Sequence, residues 1–255
     1  MLNQTTTGKV HVVTDDVLLK VEDGVATVRL NRGAKRNALT GSMYAQLADM
    51  LTSVGQDDDV RVIVLTGSNG SFTAGNDLAD MSQGDLTEDS PPCRFLDALV
   101  AVPQVVIAAV AGPAIGIGTT VLLHADLVYA TTSSVFCMPF VNLGLVPEAA
   151  STLLLPRAIG EVRAAELLLL GERFTADQAL NWGLLNAAIP GGQDELDAHV
   201  AGIVARLIAQ PANALAHTRR LLRADRLDAT RSRMSVDSAL MRELASAALR
   251  PGVAG

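Results

Sequence analysis

The amino-acid sequence predicts an α/β fold, with a core of alternating strands and helices followed by a helical carboxy-terminal region. Three observations carry this. Bare apolar runs such as "VRVIVLTG" and "QVVIAAV" read as strands buried on both faces, helical segments with one apolar face alternate with them, and helices dominate from residue 151 onward. The chain has 255 residues, 49% of them hydrophobic, enough for one large domain with an appendage. We divide it into a core over 1–195 and a helical region over 196–255.

The elements follow in order. "VLLKVEDGVATVRLNR" (17–32) predicts a hairpin, because two β-branched runs flank Asp23-Gly24, a pair that accepts the positive φ angles of a tight turn. "RNALTGSMYAQLADMLTSVGQD" turns helical, with Met43, Leu47, Met50, Leu51 and Val54 on one face and Thr40 or Ser42 as the cap. "VRVIVLTG" then completes a strand-helix-strand unit. After a loop rich in Gly, Ser and Asp (67–92), a helix around 93–101 leads into "QVVIAAV" (104–110). "AGPAIGIG" is a glycine-rich turn opening the helix "TTVLLHA", and "DLVYAT" and "SVFCMP" read as short strands. The strand-helix unit thus recurs at an irregular period. Beyond it, "TADQALNWG" carries a capping box, Thr175 with Gln178, and Gly183 is placed to end that helix. Leu196, Val200, Ile203, Val204, Leu207 and Ile208 form a helical stripe, and Pro211 can start the next helix. The apolar surplus on these last helices predicts packing against the core, another subunit, or both.

Composition narrows the function classes. A net charge of −7, with no basic run denser than "HTRRLLR", excludes a general nucleic-acid footprint. Cys93 and Cys137 have no CxxC or Cys/His neighbourhood, so they read as small hydrophobes, and no metal site is expected. "MLNQTTTGKVHVVTDD" lacks a signal-peptide or transit pattern, "PGVAG" matches no organelle address, and no apolar run reaches the roughly 18 residues of a membrane span. A cytoplasmic protein without membrane contact is the expectation.

Gly112, Gly116 and Gly118 follow a buried strand, but a dinucleotide fingerprint needs a small residue where Val121 stands, and no Walker lysine is present. What remains is more general: glycines let a backbone approach a ligand, and the first amides of a helix have no partner. "SFTAGNDLADM" is a second loop of this kind, so the two together can hold a developing oxyanion. The competing reading makes Ala74-Gly75-Asn76-Asp77 a turn into a helix capped by Asn76 or Asp77. There is no GxSxG elbow, and His11, His124, His199 and His217 have no serine or cysteine in a catalytic arrangement. His124 reads as packed or locally hydrogen-bonded, and Asp126 as a cap or turn residue. Glu148, the lone charge in "FVNLGLVPEAAS", is either a base or a turn residue after Pro147.

In order along the chain, "LNRGAKRNALT", "TGSNGSFTAGNDLADM", "PQVVIAAVAGPAIGIGTTVLLHADLVYAT", "FCMPFVNLGLVPEAASTLLLPRAIG" and "GERFTADQALNWGLLNAAIP" resemble the enoyl-CoA hydratase/isomerase (crotonase) superfamily. The resemblance covers roughly residues 15–225, and at three local stretches, Ala74 to Leu78, Gly112 to Ile117 and "PFVNLGLVPEAAS", it looks closest to the peroxisomal-type delta-3,delta-2-enoyl-CoA isomerases. The resemblance implies a crotonase, ClpP-like spiral of ββα units with a helical trimerisation region, a homotrimer or hexamer, and a role in the β-oxidation type of fatty acid metabolism. It places the two oxyanion amides on Asn76 and Ile117 and the catalytic base on Glu148. The two hydratase glutamates would fall at Thr120 and Phe140, neither of which can take a proton from water or hand one to a carbanion at neutral pH, so a single-base isomerase is expected. The substrate is an acyl-CoA thioester, with coenzyme A part of it and no separate cofactor. The CoA would run along Lys35, Arg36 and Ala38, with Ala74, Gly75, Asp77, Leu78, Gly116 and Phe140 completing the substrate site. Lys35 and Arg36 can attract its phosphates or be a solvated loop pair, and Arg219, Arg220 and Arg223 are further cations that the reading does not rely on for a neighbouring subunit's phosphate. The rival readings are a hydratase or other crotonase chemistry using Glu148, alone or with Asp77, and a non-catalytic acyl-CoA-binding protein.

Overall fold

A computed structural model describes residues 9–14, 16–81 and 89–248. The segments 1–8 and 251–255 read for targeting signals, and part of the loop after Met81, lie outside the described residues. Strand β1 (Lys9–Thr14), in a stretch that the sequence reading did not assign to the fold, pairs antiparallel with β2 (Val17–Glu22). Its β-branched residues suit a strand added to an existing edge. The predicted hairpin joins β2 to β3 (Val25–Leu30), and Asp23 and Gly24 take positive φ values of 51° and 78° at its turn.

Helix α1 (Gly41–Gly55) begins where Thr40 Oγ1 accepts the Met43 N–H at 3.2 Å, as its sequence predicts. It is followed by β4 (Val62–Thr66), the short α2 (Leu78–Met81), α3 (Pro91–Ala101), β5 (Val105–Val110) and β6 (Pro113–Ile115). A single helical turn, α4 (Ile117–Thr120), then precedes β7 (Leu127–Thr131) and β8 (Val135–Cys137). The remainder comprises α5 (Ser151–Ile159), α6 (Glu161–Leu170), β9 (Phe174–Thr175), α7 (Ala176–Asn181), β10 (Ala187–Ile189), α8 (Gln193–Ile208) and α9 (Ala212–Ala248). The capping box at Thr175 and Gln178 forms at the start of α7.

The strands form two layers. One sheet runs β1-β2-β3-β4-β5-β7-β10, parallel from β3 onward, and the smaller one runs β6-β8-β9. Successive turns of chain contribute to both: β5 and β7 enter the large sheet, then β6 and β8 pair parallel in the small one. After β4 the same role falls to Thr73, which bridges Ala114, and after β3 to Leu39, which bridges Asn76. This is a spiral of ββα turns. The irregular sequence period arises because the second strand of a turn shrinks to one bridge in two of them.

Burial on both faces explains the bare apolar strands. Ile63, Leu65, Val106 and Val110 enter the main core, while Val62, Val64, Val105 and Ile107 face a second cluster closed by Leu196 and Val200 of α8. Part of the apolar surplus therefore covers the sheet. Val162, Leu169, Leu221, Leu222, Val236 and Leu240 remain exposed on α6 and α9.

Asp126 is more than a cap. It accepts the Val106 N–H at 2.8 Å and the Nε of Arg219 and Arg223 at 2.6 and 2.8 Å, tying α9 to the strand ends. These buried arginines are thereby committed to the fold rather than to a neighbour's phosphate; Arg220 is exposed.

Candidate active site

The register of the small layer sets the first half of the site. Thr73 and Ala114 pair across two consecutive turns of the spiral, so Asn76 and Ile117, each three residues on, occupy equivalent places. In the Leu39–Asn76 bridge, Leu39 N–H donates to Gly75 O and Asp77 N–H to Leu39 O, which turns the Asn76 N–H to the other side. Ile117 opens α4 just after Gly116, whose own N–H donates to Cys137 O at 2.8 Å. Neither the Asn76 nor the Ile117 amide has an acceptor among the described residues, and both residues line one cavity of about 720 Å³. A cavity of that size suits a small organic ligand. Gly75 has φ 92°, and a Cβ there would lie 2.9 Å from Ile115 O, so only glycine lets the two turns approach this closely. Because α4 is one turn long, the help expected for Ile117 from a helix dipole is small.

Glu148 lies across the same cavity. It sits in a turn rather than an element: Ala149 and Ala150 both adopt left-handed conformations, φ 57° and 54°, before α5 begins. Two non-glycine residues in that region need outside support. His124 Nε2 lies 2.8 Å from Ala149 O, and since a carbonyl only accepts, that nitrogen carries the proton. Burial holds the imidazole neutral, with its pKa lowered to about 4. On the other side Ala150 N–H donates to Asp237 Oδ2 of α9 at 2.9 Å. Glu148 keeps some exposure to the cavity, but its Oε1 is buried without a hydrogen-bond partner among the described residues. Burial, and secondarily the charge of Asp237, raises the Glu148 pKa to about 7. Such a group can both take and return a proton near neutrality.

The other predicted residues separate into two sets. Ala74, Gly75, Leu78, Gly116 and Phe140 line the cavity. Lys35 and Arg36 are exposed and Ala38 is half-buried; none of the three lines it, although the Arg36 carbonyl accepts the Ala74 N–H at 2.9 Å and so joins this segment to the cavity wall. Asp77 also stands apart from the lining. Its carboxylate is in an ion pair with Arg32 at 2.8 Å, which holds its pKa low, and its Oδ1 accepts the Ala79 and Asp80 N–H groups. Both readings of the "AGND" loop therefore apply, the cap at Asp77 and the free amide at Asn76. Thr120 is buried with its hydroxyl toward Ile117 O.

Two lining residues escaped the sequence reading. Tyr44 of α1 donates its hydroxyl hydrogen to Asn76 Oδ1, and burial together with Glu148 raises its pKa. Asp237 is a second titratable carboxyl, with its pKa raised by burial to about 6. Tyr44 reads in sequence as one more core position of α1, and Asp237 as one more charge on a polar helix.

Among the described residues no group of three or more His, Cys, Asp or Glu side chains is placed to hold a metal, and no helix is long and apolar enough to cross a membrane. A model of the family described as enoyl-CoA hydratase/isomerase matches residues 20–253. The chain belongs to the enoyl-CoA hydratase/isomerase family. Within it, the chain is 41% identical over 202 residues to 1,2-epoxyphenylacetyl-CoA isomerase of Escherichia coli, covering 76% of each protein. It is 34% identical over 182 residues to the peroxisomal enoyl-CoA delta isomerase 3 of Mus musculus, covering 69% of this chain and 57% of that protein. Among solved structures, Pseudomonas aeruginosa OdaA superposes with a TM-score of 0.86 at 40% identity, over 93% of this chain and 100% of that one. The crotonase fold of the family is the ββα spiral described above.

Proposed function

We propose that the protein isomerises 3-enoyl-CoA thioesters to trans-2-enoyl-CoA thioesters with Glu148 as its single base. The observation that carries this reading is a buried Glu148 oxygen sharing one cavity with two amides, all three without partners among the described residues. The thioester carbonyl accepts the N–H groups of Asn76 and Ile117. Glu148 takes a proton from C2, the electron pair delocalises through the carbonyl and the double bond as a dienolate, and the same proton returns to C4. One proton leaves and one is restored, so the conjugated product forms without water or a second base. Leu96, Phe140, Leu143 and Leu145 supply an apolar wall that excludes water. Hydration would need an activated water, and Asp77, engaged by Arg32, does not help supply one.

A second reading, favoured by the 41% identity to 1,2-epoxyphenylacetyl-CoA isomerase, is that the acyl group is cyclic and the same base and amides serve it. In either case the CoA passes the Lys35–Ala38 segment, and the exposed apolar residues of α6 and α9 close a homotrimer or a hexamer.

The test is turnover of 3-enoyl-CoA, trans-2-enoyl-CoA and epoxyphenylacetyl-CoA by wild type and Glu148→Gln. Isomerisation is expected in the wild type and a loss of about 10²–10⁴ in kcat in the variant, with thioester affinity retained. Wild-type turnover by the variant, or hydration exceeding isomerisation in the wild type, overturns the assignment.

A further inference from the structure

Asp237 belongs to the long carboxy-terminal helix, 89 positions beyond Glu148 in sequence, yet its side chain lines the same cavity and is only 5% exposed. No salt bridge within 4 Å involves it among the described residues: Arg233, one turn away on the same helix, favours its anion through space, but Arg233 Nη1 donates to Thr152 Oγ1 at 2.7 Å. Its Oδ2 is used on a backbone amide, that of Ala150. A buried, unpaired carboxylate is costly to keep, so its place against the strained turn that carries Glu148 calls for an explanation.

We propose that Asp237 is a positioning residue for Glu148, holding the Ala149-Ala150 turn through the Ala150 N–H and acting on the base with its negative charge. This rests on the assignment of Glu148 as the base. The turn is gripped at two consecutive peptides, by His124 at Ala149 O and by Asp237 at Ala150 N. His124 lies in the core, whereas Asp237 comes from the helix that closes the cavity, so the base is set only when α9 is docked. The titratable and charged groups around this part of the cavity are Tyr44 of α1, Asp80 of α2, Cys93 and Asp97 of α3, His124, and Arg231, Arg233, Asp237 and Arg242 of α9. Among them it is Asp237 whose charge adds to burial in raising Glu148. The Ala150 N–H and the charge of Arg233 favour the Asp237 anion, and a negative charge there disfavours a second one on Glu148.

Two substitutions separate the roles. Asp237→Asn keeps an acceptor oxygen for Ala150 and removes the charge, whereas Asp237→Ala removes both. The Glu148 carboxyl is followed by NMR titration of protein carrying ¹³C-labelled glutamate, its signal assigned with Glu148→Gln, and turnover is measured across pH. In Asp237→Asn the Glu148 midpoint is expected to fall below 7 by the smaller part of its elevation, the part owed to burial remaining, and the acid limb of kcat/KM to move with it. In Asp237→Ala the plateau kcat is expected to drop further, on the order of 10²-fold for a misplaced catalytic group, with KM within a few-fold. An unchanged midpoint in Asp237→Asn refutes the action of the charge, and equal plateau rates in the two variants refute the holding of the turn. Where Asp237→Ala does not fold, the titration of Asp237→Asn decides. That titration needs no turnover, so a wild type inactive on 3-enoyl-CoA sinks the proposed function without deciding on Asp237.

Discussion

The two sides of the cavity are built by opposite means. The side proposed to hold the oxyanion is made of backbone and repeats: Asn76 and Ile117 occupy equivalent places in consecutive turns of one spiral, each directly after a glycine with positive φ. The side of the proposed base, Glu148, is made once, from a single side chain on a left-handed turn gripped by His124 and Asp237 from distant segments. The first side tolerates changes of side chain but not of backbone path. The second depends on three particular side chains.

The comparison is most sharply broken by Gly75→Ala. The added Cβ would meet Ile115 O at 2.9 Å and the residue would have to hold φ 92°, so the strand carrying Asn76 must move away from its neighbouring turn. Loss of one oxyanion donor typically costs about 10²–10³ in kcat. The expected result is a loss of that order with little change in thioester affinity, read from steady-state turnover and equilibrium binding. A variant with wild-type kcat shows that the Asn76 amide is not used.

Next in size is the cost of burying the base. The Glu148 pKa is raised to about 7 in the folded protein, so the folded state binds its proton more tightly than the unfolded state. Stability therefore falls as pH rises from the ordinary carboxylate range through about 7, and the whole penalty is present above that. Each tenfold difference in proton affinity between the folded and unfolded chain is worth about 1.4 kcal/mol, which makes the penalty roughly 3 kcal/mol. Glu148→Gln is expected to be more stable than wild type at pH 8 by an amount of this order and to match it near pH 4, as measured by denaturant unfolding. Equal stabilities at both pH values would show that the carboxyl is not held in the dry environment the geometry gives it.

The difference between the two sides also decides what could be read in advance. Buried strands, the Asp23-Gly24 hairpin and the Thr40 and Thr175 caps are local, so short stretches of sequence announce them. The two loops whose amides line the cavity were legible as glycine-bearing segments after buried strands, because repetition puts the same device at the same place twice. Asp77 was half legible: its capping role is local, but its engagement with Arg32 lies 45 positions away and hides in sequence. Glu148 was legible as a lone carboxylate in an apolar run. Its support was not, since His124 lies 25 positions from Ala149 and Asp237 87 from Ala150, and only the folded spiral brings them together. β1 was missed for a related reason: a strand added at an edge needs a partner more than a distinctive pattern of its own.

The smallest effect expected is also the one that tests how separate the two sides are. Tyr44 donates to Asn76 Oδ1 while its ring lies in the core of α1 and packs on Phe95, with centroids 5.6 Å apart. Its hydroxyl also feels the charge of Glu148, so it is a contact between the oxyanion side and the base side. Tyr44→Phe keeps the ring and removes the donor, leaving the Asn76 side chain free to turn while its backbone remains in the Leu39 bridge. A hydrogen bond of this kind is worth about 0.5–1.5 kcal/mol net, which corresponds to a loss of roughly 2–10-fold in kcat with KM nearly unchanged. If the backbone bridge alone fixes the amide, Tyr44→Phe turns over at the wild-type rate and the oxyanion side is purely a product of the repeat. If the loss approaches that of Gly75→Ala, the amide is set by a side chain after all, and the division between the two halves of the site does not hold.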